Sequence, residues 1–142
     1  MHVERTFSVP RPIEDVFAYL GDFTTTEQWD PGTRSTTRTS GDGGLGTTYV
    51  NNSEFMGRAV ELTYETVTFE APNRLQFRGR NGRTVATDSM SLTALPDGGT
   101  SIHYRADFDF PLLIALVAPV VVGRRLPGLA DETVEQIKRC LA

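Results

Sequence analysis

The sequence contains one cysteine, Cys140, and so cannot form an internal disulfide. A chain of 142 residues can do without one, because folding at that length removes about 68–70% of the unfolded surface from water. A lone thiol fits a reducing compartment, and the expected location is cytoplasmic. Cys140 lies two residues from the end with no histidine near it in sequence. It therefore reads as an ordinary helix residue rather than a nucleophile. Histidine is nearly as scarce. His2 and His103 are far apart, each on the polar parity of its segment. They show neither metal-ligand spacing nor the setting of a Ser-His-Asp triad, and no metal or cofactor is expected. Positive charge is in deficit, with 14 Lys and Arg against 18 Asp and Glu for a net charge of −4. That argues against the clustered basic surface that binds nucleic acid. A membrane-spanning run is missing as well. Residues 112–122 (LLIALVAPVVV) form an apolar run of 11 residues that contains Pro119, whereas a span needs about 20. The run reads as a core-facing helix, with a membrane-touching lid as the alternative. The start, MHVERTFSVP, has no apolar stretch behind a basic one, so no secretory signal is expected there.

What remains is patterned throughout, and the length suits one domain. Val3, Phe7 and Val9 alternate with Glu4, Thr6 and Ser8, a strand with one buried face. Pro12 opens a helix with acidic residues in its first turn, and Ile13, Val16, Phe17 and Leu20 form its buried stripe. A second short helix is expected over FTTTEQW, closed by Asp30-Pro31-Gly32. From there to Phe110 the pattern is β. RSTTRTS, GTTYVNNSEF, RAVELTYETVTFEA, RLQFRG, RTVATDSMSLTAL and TSIHYRADFDF are separated by glycine, Pro-Asn and Asn-Gly turns. With the first segment these make seven antiparallel strands. In the fourth, Val60, Leu62 and Tyr64 share a face that Val67 and Phe69 continue on the opposite parity. A bulge near Thr66 would produce that switch and bend the sheet. The end of the chain predicts one long helix, kinked or broken at Pro119 and Pro127. Gly41 to Gly46 satisfies G-x-G-x-x-G, but a strand and not a helix follows, so it reads as a hairpin.

A seven-stranded sheet with one apolar face must be covered, and the last helix is the sizeable apolar element left to cover it. A curved sheet closing on one helix leaves a space suited to a ligand. The expected architecture is an α+β helix-grip. This order resembles the START-like superfamily, which includes birch-allergen-like proteins and the polyketide cyclase/dehydrase and lipid-transport family. The resemblance covers the whole chain. It is carried by PIEDVF at 12–17, Trp29-Asp30-Pro31-Gly32, Leu45-Gly46-Thr47-Thr48-Tyr49, Glu70-Ala71-Pro72-Asn73-Arg74-Leu75 and Pro96-Asp97-Gly98-Gly99-Thr100. It implies a cavity for an apolar ligand, and a fold that serves cyclases, hydrolases, carriers and receptors alike.

Trp29, Tyr49, Phe55, Tyr64, Phe77, Tyr104 and Phe108 are expected to face the concave side, as core or as ligand wall. The tyrosines are the more informative, since a buried phenol needs a partner. Asn51 shares parity with Tyr49, and Asp88 shares parity with Met90 and Leu92. If Asp88 points inward, burial raises its pKa toward general acid–base use; the alternative is that it is solvated. Met90 and Leu116 complete the expected ligand-facing set. The principal expectation is a binding or carrier module for an apolar or aromatic small molecule or lipid. The alternative is an enzyme resembling the polyketide cyclases, with Asp88 as base and Tyr64 or Tyr104 stabilising an enolate. A third is an interaction domain in which residues 112–122 form a homodimer face. Arg78, Arg80 and Arg83 around Asn81-Gly82 read as a solvated hairpin tip, or as a docking site for an acyl carrier protein.

Overall fold

The computed structural model describes residues 1–55, 57–111 and 122–142. The alternating segments become strands β1 (His2–Val9), β2 (Thr33–Ser40), β3 (Thr48–Phe55), β4 (Arg58–Glu70), β5 (Arg74–Asn81), β6 (Thr84–Ala94) and β7 (Thr100–Asp109). They form one antiparallel sheet in the order β1-β7-β6-β5-β4-β3-β2. Strands β2 to β7 are therefore a meander, and β1 joins its far edge. Helix α1 (Ile13–Gly21), a 3-10 turn (Phe23–Thr25) and α2 (Thr26–Trp29) connect β1 to β2, the two opposite edges. Pro12 precedes α1, Glu14 and Asp15 occupy its first turn, and its apolar stripe is buried as the spacing predicts. The Asp22 carboxylate caps the 3-10 turn by accepting from the Thr24 N–H at 3.0 Å. The glycine-rich β2–β3 connection is a hairpin, with Gly41, Gly43 and Gly46 at positive φ.

The pairing of β4 with β5 slips between Thr66 and Thr68, where the change of parity places a bulge. As a result Tyr64 and Thr66 face inward before the slip and Phe69 faces inward after it. Phe69 packs edge-on against Phe17 of α1 at 4.9 Å. The α1–α2 segment fills one end of the concave face: Phe17, Leu20 and Phe23 pack with Leu75, Phe77 and Leu92. At the other end the inward-facing residues Val3, Ser53, Phe55, Leu62 and Phe108 are only half-buried. The sheet is thus a cup with a packed floor and a looser mouth.

Helix α3 (Leu126–Cys140) buries Leu126, Ala130, Thr133, Val134 and Ile137. The break expected at Pro127 falls just before it: residues 122–125 form a turn, α3 starts at Leu126, and Pro127 lies in its first turn, where its missing N–H would have no intrahelical partner anyway. Pro119 and Leu116, with the rest of residues 112–121, lie outside the described residues, so the apolar run as lid or dimer face does too. Arg5 stands at an inward position of β1, opposite Tyr104. Its guanidinium leaves the core and donates to Asp131 Oδ1 at 2.9 Å and to the Pro127 carbonyl at 3.3 Å. Gln136, with its amide turned to satisfy both contacts, donates to the Gln28 and Trp29 carbonyls at 3.2 Å. These bonds tie α3 to β1 and to the end of α2.

Tyr64 depends on a glycine. Gly79 is its cross-strand partner, and a Cβ there would lie 2.6–2.7 Å from three carbons of the Tyr64 ring. The ring lies flat on the backbone of β5, which only glycine permits. Gly79→Ala is expected to lose about 1–3 kcal/mol in urea unfolding. In a Tyr64→Ala background the loss should largely vanish; an undiminished loss would show that the ring is not what the new methyl meets.

Candidate functional site

The inward face of β6 reads Ala86, Asp88, Met90, Leu92, and three of these four are buried apolar residues. Asp88 is the exception, half-buried between them. Its cross-strand neighbours are Phe77 on β5 and Ala106 on β7. Tyr104, two residues before Ala106, is the diagonal neighbour that reaches it. The Tyr104 hydroxyl donates to Asp88 Oδ1 at 2.8 Å. Gly79, Ala86 and Ala106, all buried, surround this pair with short or absent side chains. The Tyr64 ring lies across the gap they leave. Its hydroxyl makes no hydrogen bond among the described residues, although its pKa responds to the charges of Asp88 and Asp30.

The electrostatics follow from burial. Loss of water raises the Asp88 pKa from 3.8 to about 7; the Tyr104 hydrogen bond opposes the rise, and the nearby charges of Asp30 and Asp107 add to it. Asp30, just beyond α2, is also raised by burial. That rise is offset by the Thr33 hydroxyl, which donates to Oδ2 at 2.6 Å, and by the Gly32 N–H. Burial drives both Tyr64 and Tyr104 well above the ordinary phenol value, and the charges of Asp88 and Asp30 add to this. At neutral pH the phenols are protonated and Asp88 is near its midpoint.

The structure brings together three of the residues singled out by parity, Asp88, Tyr64 and Tyr104. Trp29 closes the group. It is 1% exposed, meets Tyr104 edge-on at 6.2 Å and donates its Nε1–H to Thr25 Oγ1 at 3.0 Å. Other candidates sit elsewhere on the concave face. Phe77 is floor, packed near Phe23 at 4.5 Å, and Met90 is fully buried beside it. Tyr49 is buried next to Phe23 at 5.7 Å, and neither its hydroxyl nor that of Thr66 has a hydrogen-bond partner of normal geometry among the described residues. Asn51 faces inward, but its amide is engaged in the wall. Nδ2 donates to Thr33 and Thr36 at 3.0 and 2.8 Å, and Oδ1 accepts from Ser53 at 2.6 Å. Asn51 therefore holds β2 to β3. Phe108 is half-buried at the mouth, parallel to Phe110 at 6.2 Å. Phe55 lines a surface groove of about 430 Å³ with Pro31, Gly32, Arg34, Leu129 and Glu132. His103 lies on the outer face, 3.3 Å from Glu4, and Cys140 is exposed. Sequence reasoning missed Asp30, whose Asp-Pro-Gly setting signals a turn. It also missed the small trio Gly79, Ala86 and Ala106, whose signal is a lack of bulk at inward positions around one carboxyl.

A carboxyl whose pKa is higher in the native state holds its proton more tightly there. It favours folding below pH 4, and that contribution is lost as pH rises through about 7. Asp88→Asn keeps an acceptor for Tyr104 and removes the titration. The variant should melt above the wild type at pH 8, with the difference shrinking toward pH 4. A constant difference across that range would place Asp88 in water.

A family model described as polyketide cyclase/dehydrase and lipid transport matches residues 1–142. No curated protein matches the chain. Among solved structures, TTHA0849 from Thermus thermophilus is 15% identical with a TM-score of 0.78, covering 98% of this chain and 95% of its own. A START superfamily protein from Mycobacterium smegmatis is 17% identical with a TM-score of 0.73, covering 99% and 93%. The Zhui aromatase/cyclase from Streptomyces is 16% identical with a TM-score of 0.72, covering 100% and 96%. At these identities the likeness is one of fold. Among the described residues no helix is long and apolar enough to cross a membrane.

Proposed function

Because the chain belongs to the polyketide cyclase/dehydrase and lipid-transport family, we propose that it binds a largely apolar or aromatic small molecule on the concave face of its sheet. Asp88, Tyr104 and Tyr64 form the polar anchor. The observation that carries this reading is Asp88 itself, a carboxyl with one hydrogen bond on the otherwise apolar inward face of β6, whose pKa burial raises to about 7. A packed core gains nothing from such a group, because burying it costs more than one hydrogen bond returns. Gly79, Ala86 and Ala106 put little side-chain bulk beside it, and the Tyr64 ring is what lies across them. The test is uptake of a neutral aromatic probe, 1-naphthol, followed by Trp29 fluorescence and native mass spectrometry. Ala106→Leu, which adds bulk beside Asp88, is expected to weaken uptake at least tenfold while circular dichroism stays unchanged. Unaltered affinity in that variant would move the site elsewhere.

A second reading is favoured by the same pKa. A carboxyl near its midpoint at pH 7 suits a general base. In a cyclase-like step Asp88 would take a proton from a carbon between two carbonyls, Tyr64 would donate to the enolate oxygen, and the carbanion would close the ring on a second carbonyl. The exposed Arg80 and Arg83 at the β5–β6 hairpin would then serve an acidic carrier protein. On this reading Asp88→Asn abolishes turnover of a poly-ketone substrate and leaves its affinity nearly intact. Equal loss of both, or of neither, would speak against it.

A further inference from the structure

The two walls of the surface groove beside Phe55 carry complementary charges. One wall is the mouth end of β2 and β3, with Arg34, Glu54 and Phe55; the other is the start of α3, with Arg125, Leu129 and Glu132. Arg125, Leu129 and Glu132 fall at i, i+4 and i+7 and so share one helix face. Each wall thus presents an exposed arginine, an exposed glutamate and a half-buried apolar residue. On the sheet side Arg34 and Glu54 are ion-paired with each other. Arg125 and Glu132 have no ion-pair partner among the described residues, and residues 56 and 112–121, which lie outside them, carry no charged side chain.

Helix α3 is fastened elsewhere. It packs against β1 and α2. Arg5 holds its first turns from β1, and Gln136 holds a later turn to the Gln28 and Trp29 carbonyls. Among the described residues no hydrogen bond or ion pair joins α3 to β2 or β3. The helix is therefore tied along β1 and α2 and has no polar latch along the groove. The groove also opens on the concave face, because Thr33 and Phe55 line it from inward positions. Thr33 accepts from Asn51 Nδ2 at 3.0 Å, and Phe55 packs on the cluster of Val122 and Leu126. A volume of about 430 Å³ falls within the range of small-molecule sites, about 300–1,000 Å³. The charges of each wall cancel, so the groove recruits neither sign of ion. Its middle, Phe55 and Leu129, suits an uncharged apolar body.

We propose that this groove is the port by which the ligand reaches the concave face, and that Arg125 and Glu132 close it by pairing with Glu54 and Arg34. Pairs across a narrowed gap are stronger for the water they exclude. This rests on the ligand-binding reading above and supplies the route to that site. The test uses Cys140→Ser protein in which Glu54→Cys and Arg125→Cys are joined by a short bismaleimide. Entry of 1-naphthol is followed by stopped-flow fluorescence of Trp29. The link is expected to slow entry at least tenfold, while the same variant capped with N-ethylmaleimide stays within about threefold of the Cys140→Ser rate. Charge exchange tests the closure. Glu132→Arg sets a like charge against Arg34 and should release bound probe about threefold faster, the scale of an exposed ion pair. Adding Arg34→Glu should restore slow release. An entry rate that the link leaves unchanged overturns the port. Release unchanged by Glu132→Arg, or faster release that Arg34→Glu does not reverse, overturns the closure. Each of these outcomes leaves ligand binding itself intact. If the unlinked protein takes up no 1-naphthol, the binding reading falls and the port falls with it.

Discussion

A seven-stranded sheet with one apolar face presents more surface than a single helix can cover, and the remaining architecture follows from that mismatch. The chain solves half of it locally. The segment between β1 and β2 must cross from one edge of the sheet to the other. In crossing it lays Phe17, Leu20 and Phe23 over one end of the concave face. The other end is left to α3, which is anchored from its sides and not through a continuous apolar seam. Arg5 grips its first turns, and Gln136 meets the end of α2. The packed floor and the half-buried mouth are consequences of where covering elements run out.

Asp88 lies between those two regions. Its neighbours are unusual for a sheet of this kind, in which large side chains normally interdigitate. Gly79, Ala86 and Ala106 lie on three consecutive strands around it, so the bulk missing from the backbone positions is supplied by one displaced ring, Tyr64. That arrangement is mutually dependent. The ring can lie across the gap because Gly79 has no side chain, and the carboxyl stays partly uncovered because its flanking residues are short.

The parity of the sequence was sufficient for much of this. Strict alternation along β7 separated Tyr104 and Ala106 from His103 and Arg105. Tyr64 and Phe69 fell on opposite parities, and the β4 slip accounts for that. For Asp88, Met90 and Leu92 on the same strand left an inward and a solvated placement open, and the hydrogen bond from Tyr104 decides for the inward one. Parity fails where a residue has more than one structural use. Asp30 in Asp-Pro-Gly has the chemistry of a turn, and it does cap one, but the same half-buried carboxyl also acts through its charge on Asp88, Tyr64 and Tyr104. Asn51 shares parity with Tyr49 and does face inward, yet its hydrogen bonds are consumed by β2. Pro127 reads as a helix breaker anywhere except the first turn, and the chain places it in the first turn. Distances between elements that are remote in sequence decide each of these cases, and no local pattern contains them.

The balance of donors and acceptors bears on whether the proposed site would carry a ligand or transform it. The Tyr104 hydrogen is already committed to Asp88, so Tyr64 is the one phenol of the anchor with its donor free among the described residues. Against it stand two carboxyls whose oxygens accept. A developing enolate needs several aligned donors, because its negative charge must be met as it forms. Here the same negative charge would form beside Asp88 and Asp30 and be opposed by both. A group rich in donors, or positively charged, relieves that repulsion instead of adding to it. The acidity of the anchor therefore weighs toward retention of a donor-bearing ligand over stabilisation of an anionic intermediate, and it does so through the same carboxyl that made catalysis worth considering.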